Sequence, residues 1–165
     1  MSLDEVSQTL WQERQLLDLL VCKLEVEQLV LAAGRSRWLP AVTREVEYVL
    51  AEVKQVELLR AVLVDAVAEQ FGLSPGCTLR ELAGAVPTPW DSIFEQHRMA
   101  FLISAEELRA VARINQDLLA QGARAVQDAL AWLCESTDRP DAAIYSPVGA
   151  HAGASAGARF VDGRL

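Results

Sequence analysis

The stretch that decides the fold is residues 2–34, SLDEVSQTLWQERQLLDLLVCKLEVEQLVLAAG. Leucine recurs in it at every seventh position, at residues 3, 10, 17, 24 and 31. This period is typical of one helix face packed against a partner helix. Ser2 and Glu5 form a capping-box pattern, which begins a helix, and Gly34 suits the left-handed residue that follows one. The pattern predicts a first helix over about residues 3–33.

Beside the leucines runs a companion row, which Val6 and Leu20 fill and which Glu13 and Glu27 leave incomplete. A second heptad row follows, broken at Arg60; its members are Val42, Val46, Val49, Val53, Val56, Leu63 and Val67. Because valine is a mediocre helix former, this row is stable as a helix only where packing against a partner helix stabilises it. It predicts a second helix over about residues 38–71, ended by Gly72 and Leu73 in a Schellman motif.

Residues 74–90, SPGCTLRELAGAVPTPW, read as a connector. Thr78 and Glu81 repeat the capping box and predict a short helix that ends near Gly84. Thr88 is predicted as the N-cap of a third long helix, with Pro89 at its first helical position and its end near residue 135. A further capping pattern at residues 104–107 leaves open whether this helix is kinked or continuous. We place its apolar side chains near one face: Ile93, Phe94, His97, Phe101, Leu108, Val111, Ile114, Leu118, Ala125, Ala129 and Leu133.

These elements predict an all-α fold, an elongated antiparallel helical bundle or coiled-coil hairpin of three long helices with a short connector helix. Residues 1–135 form the predicted bundle domain, and residues 136–165 form a flexible Gly/Ala-rich tail. A third helix of about 47 residues would be roughly 70 Å long at 1.5 Å per residue. Because that exceeds either partner helix, we expect part of it to protrude, bend or pack on another copy.

Composition excludes several classes of function. The net charge of −8 and the pI near 4.8 argue against nucleic-acid binding, which needs a concentrated basic face. The sequence shows no signal peptide and no apolar run near the ~20 residues of a membrane span. Cys22, Cys77 and Cys134 are scattered, which suits buried thiols in a reducing compartment. We therefore expect a cytoplasmic protein that does not insert into membranes.

No catalytic or metal-binding pattern is present in the sequence. It contains no H-E-x-x-H, no Walker loop and no strand-associated G-x-G-x-x-G, and neither histidine has a Glu three residues before it. We therefore predict no enzyme activity, no cofactor and no metal. His97 reads as a core-edge or surface residue. Asn115, among apolar neighbours, either sets helix register or bonds a partner's backbone.

Residues 142–165, AAIYSPVGAHAGASAGARFVDGRL, contain four Gly and seven Ala. Their larger apolar residues form two islands: Ile144, Tyr145 and Val148, then Phe160, Val161 and Leu165. Such a segment cannot offset its ordering entropy of about 1–2 kcal/mol per residue by itself. Island spacings of three to five residues suit short helical turns that insert into a groove on another protein. The tail is thus predicted to become ordered on a partner, with a tail of no function as the alternative.

The whole layout resembles the FlgN family of flagellar export chaperones. The resemblance rests on the order of the helices and on four segments: GLSPGCTLREL in the connector, ARINQDLLAQG around Asn115, YSPVG at Tyr145 and the closing RFVDGRL. Two features depart from the family's pattern. Leu118 stands where members often carry a second Asn, and residues 35–37 (RSR) stand where an acidic residue is usual.

The resemblance implies a non-enzymatic cytoplasmic chaperone that binds hook-associated proteins of the hook–filament junction, blocks premature assembly and delivers them to the type III export gate. It implies client binding by the two tail islands and gate docking by Tyr145. The predicted partner-binding residues are Asn115, Ile144, Tyr145, Val148, Phe160, Val161 and Leu165. The alternatives are a non-secretory coiled-coil adaptor or structural protein, a secreted helical hairpin of another export system, and an enzyme with a site hidden in the bundle. Whether the protein forms a homodimer is left open.

Overall fold

A computed structural model describes residues 2–137 of the chain. In this range lie four α-helices and no strand: α1 (Leu3–Ala32), α2 (Leu39–Gln70), α3 (Leu79–Ala85) and α4 (Trp90–Thr137). A short 3₁₀ turn, Ser36–Trp38, precedes α2. The predicted all-α class is confirmed. The chain divides into two units, Met1–Val126 and Gln127–Leu165, and the predicted domain boundary at residue 135 stays a prediction.

Local sequence signals set most of the helix ends. The Ser2 hydroxyl accepts a hydrogen bond from the Glu5 N–H while the Glu5 carboxylate accepts one from the Ser2 N–H, and Thr78 and Glu81 do the same at α3. Gly72 has φ 73° after α2. The N–H groups of Gly72 and Leu73 bond back to the carbonyls of residues 69 and 68. This is the predicted Schellman motif.

The start of α4 differs from the prediction. The helix begins at Trp90, and the Pro89 carbonyl accepts its first helical hydrogen bond, from the N–H of Ile93. Thr88 is therefore not the N-cap, because Pro89 lies between it and the first helical residue. The Thr88 hydroxyl donates to the Asp91 carboxylate at 3.1 Å. Through Ser104 the helix is continuous, and this small side chain is buried, so the internal capping pattern is not used as a break.

Two hydrophobic clusters show the relative directions of α1 and α2. Near the start of α1, Val6 and Leu10 pack with Leu63 and Val67 at the end of α2. Further along α1, Leu20 packs with the earlier α2 residues 46, 49 and 53. The two helices are therefore antiparallel, as predicted. Contacts of Ser7 with His97 and of Leu24 with Asn115 place α4 parallel to α1.

Burial corrects four predictions. Glu13 and Glu27 do not interrupt the packed row of α1, because both are buried in it. Cys22, predicted to be buried, is exposed, because nine residues from Glu13 put it on the opposite side of the helix. Cys134 is exposed as well, in a part of α4 where residues 119–134 are all exposed. His97 is not at the edge of the core but inside it, 1% exposed.

Candidate partner-binding region

Asn115 joins all three long helices. It is 3% exposed, and its Nδ2 donates to the backbone oxygen of Leu24 at 2.9 Å and to Glu27 Oε2 at 3.1 Å. The other Glu27 oxygen accepts a hydrogen bond from Thr43 on α2 at 2.7 Å. Sliding either partner helix would break these bonds and leave polar groups buried without partners. The contacts are those of the register-setting alternative, and binding of a partner by Asn115 stays a prediction.

Glu13 forms a second buried polar contact, with Arg60 on α2. Arg60 Nη1 donates to Glu13 Oε1 at 2.9 Å, and the side chains are 35% and 3% exposed, respectively. The guanidinium also lies 5.8 Å from the ring centroid of Phe101 on α4. Glu13 Oε2 finds no hydrogen-bond partner among the described residues. Burial raises the pKa of the Glu13 carboxyl, an effect that the charge of Arg60 opposes and that of Glu57 reinforces.

His97 forms a third polar contact, near the start of α1. Its Nε2 lies 3.3 Å from the Ser7 hydroxyl, and its ring meets Trp11 edge-on at 5.3 Å between centroids. Burial lowers the pKa of His97, and the nearby charge of Arg14 lowers it further. The imidazole is therefore neutral at neutral pH. Its Nδ1 has no hydrogen-bond partner in the described part of the chain. The contact links α1 to α4 at the end of the bundle opposite Asn115.

A surface cavity of about 290 Å³ lies between α2 and the connector. Arg60, Asp65, Cys77 and Thr78 are among its lining residues. Burial raises the pKa of Cys77, and the charges of Glu81 and Asp65 raise it further. The thiol therefore stays protonated near neutral pH. A nucleophilic cysteine needs the opposite shift. The geometry here does not activate Cys77.

Residues 2–137 contain no group of three or more His, Cys, Asp or Glu side chains placed to hold a metal ion. Within the same residues, no helix is long and apolar enough to cross a membrane. The buried Glu13, Glu27 and His97 lie in three separate contacts, each used to join helices. These three contacts align α1, α2 and α4.

The face of α4 that packs on the hairpin continues past its last contacts. Leu119 and Val126, four and eleven residues after Asn115, lie on that face but are 45% and 61% exposed. The reason is that α1 ends at Ala32, eight residues after Leu24, which leaves no α1 side chain opposite Val126. The predicted inner face is therefore wrong at Ala125. It is also wrong at Ile114, which is 44% exposed because it lies about 100° around the helix from the buried Asn115.

In the second unit, the described helical residues up to 134 are also exposed. They include three large apolar side chains: Leu130, Trp132 and Leu133, at 56%, 67% and 51% exposure. The prediction that Ala129 and Leu133 lie on an inner face is wrong, because both side chains are exposed.

The tail residues predicted to bind partners lie outside the described residues: Ile144, Tyr145, Val148, Phe160, Val161 and Leu165. Their roles stay predictions. Comparison with protein families finds a match to the FlgN protein family over residues 1–153 of this 165-residue chain. Comparison with curated proteins and with solved structures finds no match.

Proposed function

The chain belongs to the FlgN family of flagellar export chaperones, and from this premise we propose that it binds hook-associated proteins in the cytoplasm, prevents their premature assembly and delivers them to the type III export gate. The family match carries the proposal. It covers the four helices and extends to residue 153, past Ile144, Tyr145 and Val148 of the first tail island. The chaperone class thus rests on most of the chain, and the named clients and the gate are our proposal.

A second observation supports client binding near the end of the chain. The described helix residues just before the tail present Leu130, Trp132 and Leu133 to solvent, and Leu130 and Leu133, three residues apart, lie on one face of the helix. Large apolar side chains that are exposed side by side are typical of protein-binding surfaces. We assign client binding to residues 136–165, with the two apolar islands as the anchors and with Leu130 and Trp132 at the border of this region.

The mechanism follows from the ordering cost of the tail. Junction proteins assemble through terminal helices that are exposed in the monomer, and apolar islands on a tether can cover such helices. Each residue that becomes ordered costs about 1–2 kcal/mol, which offsets part of the apolar contact energy. The resulting affinity is low enough to permit release at the export gate. Within the first island we assign Tyr145 to the gate, as the family resemblance implies, which leaves Ile144 and Val148 as that island's client anchors.

Deletion of residues 142–165 tests client binding. We expect the truncated chain to lose binding to a purified hook-associated protein in calorimetry while its far-ultraviolet circular dichroism shows the helix content of the full chain. A matched pair sharpens the result. Replacing Phe160 and Val161 by Ser removes an island, whereas replacing His151 and Ser155 by Ala changes residues between the islands. Undiminished affinity of the truncated chain, or equal loss in both variants, would contradict the assignment.

Tyr145→Ala tests the gate. We expect client affinity within about twofold of the full chain's, because the other apolar anchors remain, together with reduced secretion of the client. A variant that loses client binding and secretion together would place Tyr145 in the client site instead.

A further inference from the structure

The packed face of α4 is more polar than that of α2. Among the described residues of α4, four side chains are buried, and one of these, Phe94, is apolar. The other three are His97, Ser104 and Asn115. All eight buried side chains of α2 are apolar. Because a polar group at a packed position lowers the stability of a helix pair, α4 is held less firmly than α2.

The apolar packing of α4 is concentrated near its start. Four of its side chains belong to the first hydrophobic cluster or pack against it: Trp90, Ile93, Phe94 and Phe101. In the second cluster, which lies further along α1, the described part of α4 contributes Leu108 alone. The part of α4 after Ser104 is therefore held mainly by Leu108 and by the hydrogen bonds of Asn115. We call residues 105–126 the arm.

The Asn115 contact leaves hydrogen-bonding capacity unused. Its Nδ2 donates to the Leu24 carbonyl and to Glu27, but its Oδ1 is buried without a partner among the described residues. The Glu27 side chain, 8% exposed, is also kept from most of its water. A buried polar atom without a partner raises the free energy of the closed state, and a carboxylate regains hydration when it is exposed. Rehydration of these groups therefore offsets part of the contact energy that is lost when the arm undocks.

The arm carries helix-forming signals that do not depend on α1. Its sequence, AEELRAVARINQDLLAQGARAV, consists mostly of Ala, Leu, Arg, Glu and Gln and contains no Pro. Glu106 and Arg109 form an exposed ion pair within it, which needs no other helix. Opening of the arm therefore does not require the α1–α2 hairpin to unfold.

We infer that the arm undocks from α1 reversibly while the α1–α2 hairpin and the first turns of α4 stay packed. Opening uncovers the side of α1 around Leu24 and Glu27, which Asn115 otherwise contacts. The arm is thus a conformational device built into the bundle. Its reversible undocking does not rest on the proposed client binding by residues 136–165.

Hydrogen–deuterium exchange of the full-length chain, read by mass spectrometry, tests this local opening. A single helix of this length is only marginally stable in water, so the amides of the arm exchange whenever it undocks. Relative to their unprotected rates, we expect the amides of residues 108–118 to exchange at least about tenfold faster than those of residues 49–67 in α2. Two substitutions then separate local opening from unfolding of the whole chain.

Val67→Ala weakens the hairpin away from the arm. Val67 is 1% exposed in the first cluster, so loss of its methyl groups leaves a cavity. We expect exchange in α2 to become about tenfold faster. Exchange in the arm should stay within about twofold, because Val67 remains packed when the arm is open.

Leu108→Ala weakens the arm itself. It removes the side chain by which α4 packs against the second cluster, and we expect exchange in the arm to become about tenfold faster. Leu102→Ala is the matched control, because Leu102 lies on the same helix but is 51% exposed. It should leave exchange in the arm within about twofold. Circular dichroism of all three variants should show the helix content of the unaltered chain.

Local opening is refuted if Val67→Ala accelerates the arm as much as α2, because the arm then opens only when the whole chain unfolds. It is refuted as well if the arm of the unaltered chain exchanges as slowly as α2. A third contrary result is fast exchange in the arm that Leu108→Ala does not change, which would mean that the arm is not docked. None of these measurements involves a client, so local opening and client binding by the tail fail separately.

Discussion

Replacing Arg60 by Met should expose the cost of burying the Glu13 carboxylate. Met keeps much of the apolar stem of Arg60 and removes its charge. The Glu13 side chain, 3% exposed, would then have no ionic partner, and its Oε2 already lacks a hydrogen bond among the described residues. Loss of one partner from a fully buried pair costs about 3–5 kcal/mol. Because Arg60 is 35% exposed and thus partly screened, we expect about 2–3 kcal/mol at pH 7.

The loss should depend on pH with a defined sign. Burial raises the folded-state pKa of Glu13 above its ordinary value of 4.5, and without the opposing charge of Arg60 it rises further. Ionised Glu13 therefore costs folded-state stability at pH values above that pKa. The difference between the variant and the unaltered chain is largest there. It should shrink as the pH falls through the folded-state pKa values, below which Glu13 is protonated in both folded proteins.

Urea denaturation followed by circular dichroism, at several pH values, measures these differences. The double substitution Glu13→Leu with Arg60→Met is the control, because it replaces both charges with apolar groups. We expect it to be at least as stable as the unaltered chain at pH 7, with a gain of up to about 1–4 kcal/mol. The reasoning is refuted if Arg60→Met alone costs less than about 0.5 kcal/mol, the effect of an ordinary surface substitution.

Three further substitutions test other contacts. Asn115→Leu removes two buried hydrogen bonds and should lower the free energy of unfolding by about 1–3 kcal/mol in urea, whereas Gln116→Leu on the exposed side of α4 should change it little. Gly76→Ala should cost about 1–2 kcal/mol because φ at Gly76 is 78°, whereas Gly84→Ala, inside α3, should gain about 0.5–1 kcal/mol in the same assay. Burial lowers the pKa of His97 below its ordinary 6.5. The neutral His97 therefore contributes stability that is present above pH 6.5. This stability is lost at lower pH, because the unfolded chain takes up a proton there more readily than the folded chain. His97→Gln should reduce that loss in thermal melts between pH 7.5 and 5.5.

The helix starts and ends could largely be predicted from the sequence because they depend on local chemistry. Ser2 with Glu5, Thr78 with Glu81, and Gly72 each act within a few residues of themselves. The start of α4 lies one residue later than predicted, since Trp90 rather than Pro89 is the first helical residue. A capping pattern locates a helix start to within a residue or two, because neighbouring positions can serve as the last residue before the helix.

The buried polar contacts could not be predicted from one helix at a time. Glu13 and Glu27 break an apolar row in the sequence, and only the side chains opposite them, Arg60 from α2 and Asn115 from α4, explain their burial. The sequence identifies Asn115 as a polar residue among apolar neighbours. To decide whether it sets helix register or bonds a partner's backbone, one needs to know which side chains face it.

The three polar contacts have a consequence for how the chain reaches its fold. Leucine and valine rows with a seven-residue repeat would allow α1 and α2 to align in several ways of nearly equal energy. A shift of α1 by one heptad moves Glu13 to the position of Leu20, among valines, where a carboxylate has no cation. A hairpin shifted in this way would hold an unpaired acid in an apolar environment, which raises its free energy relative to the native alignment. The two acids thus favour one alignment of α1 on α2 among those that the heptad rows alone would allow.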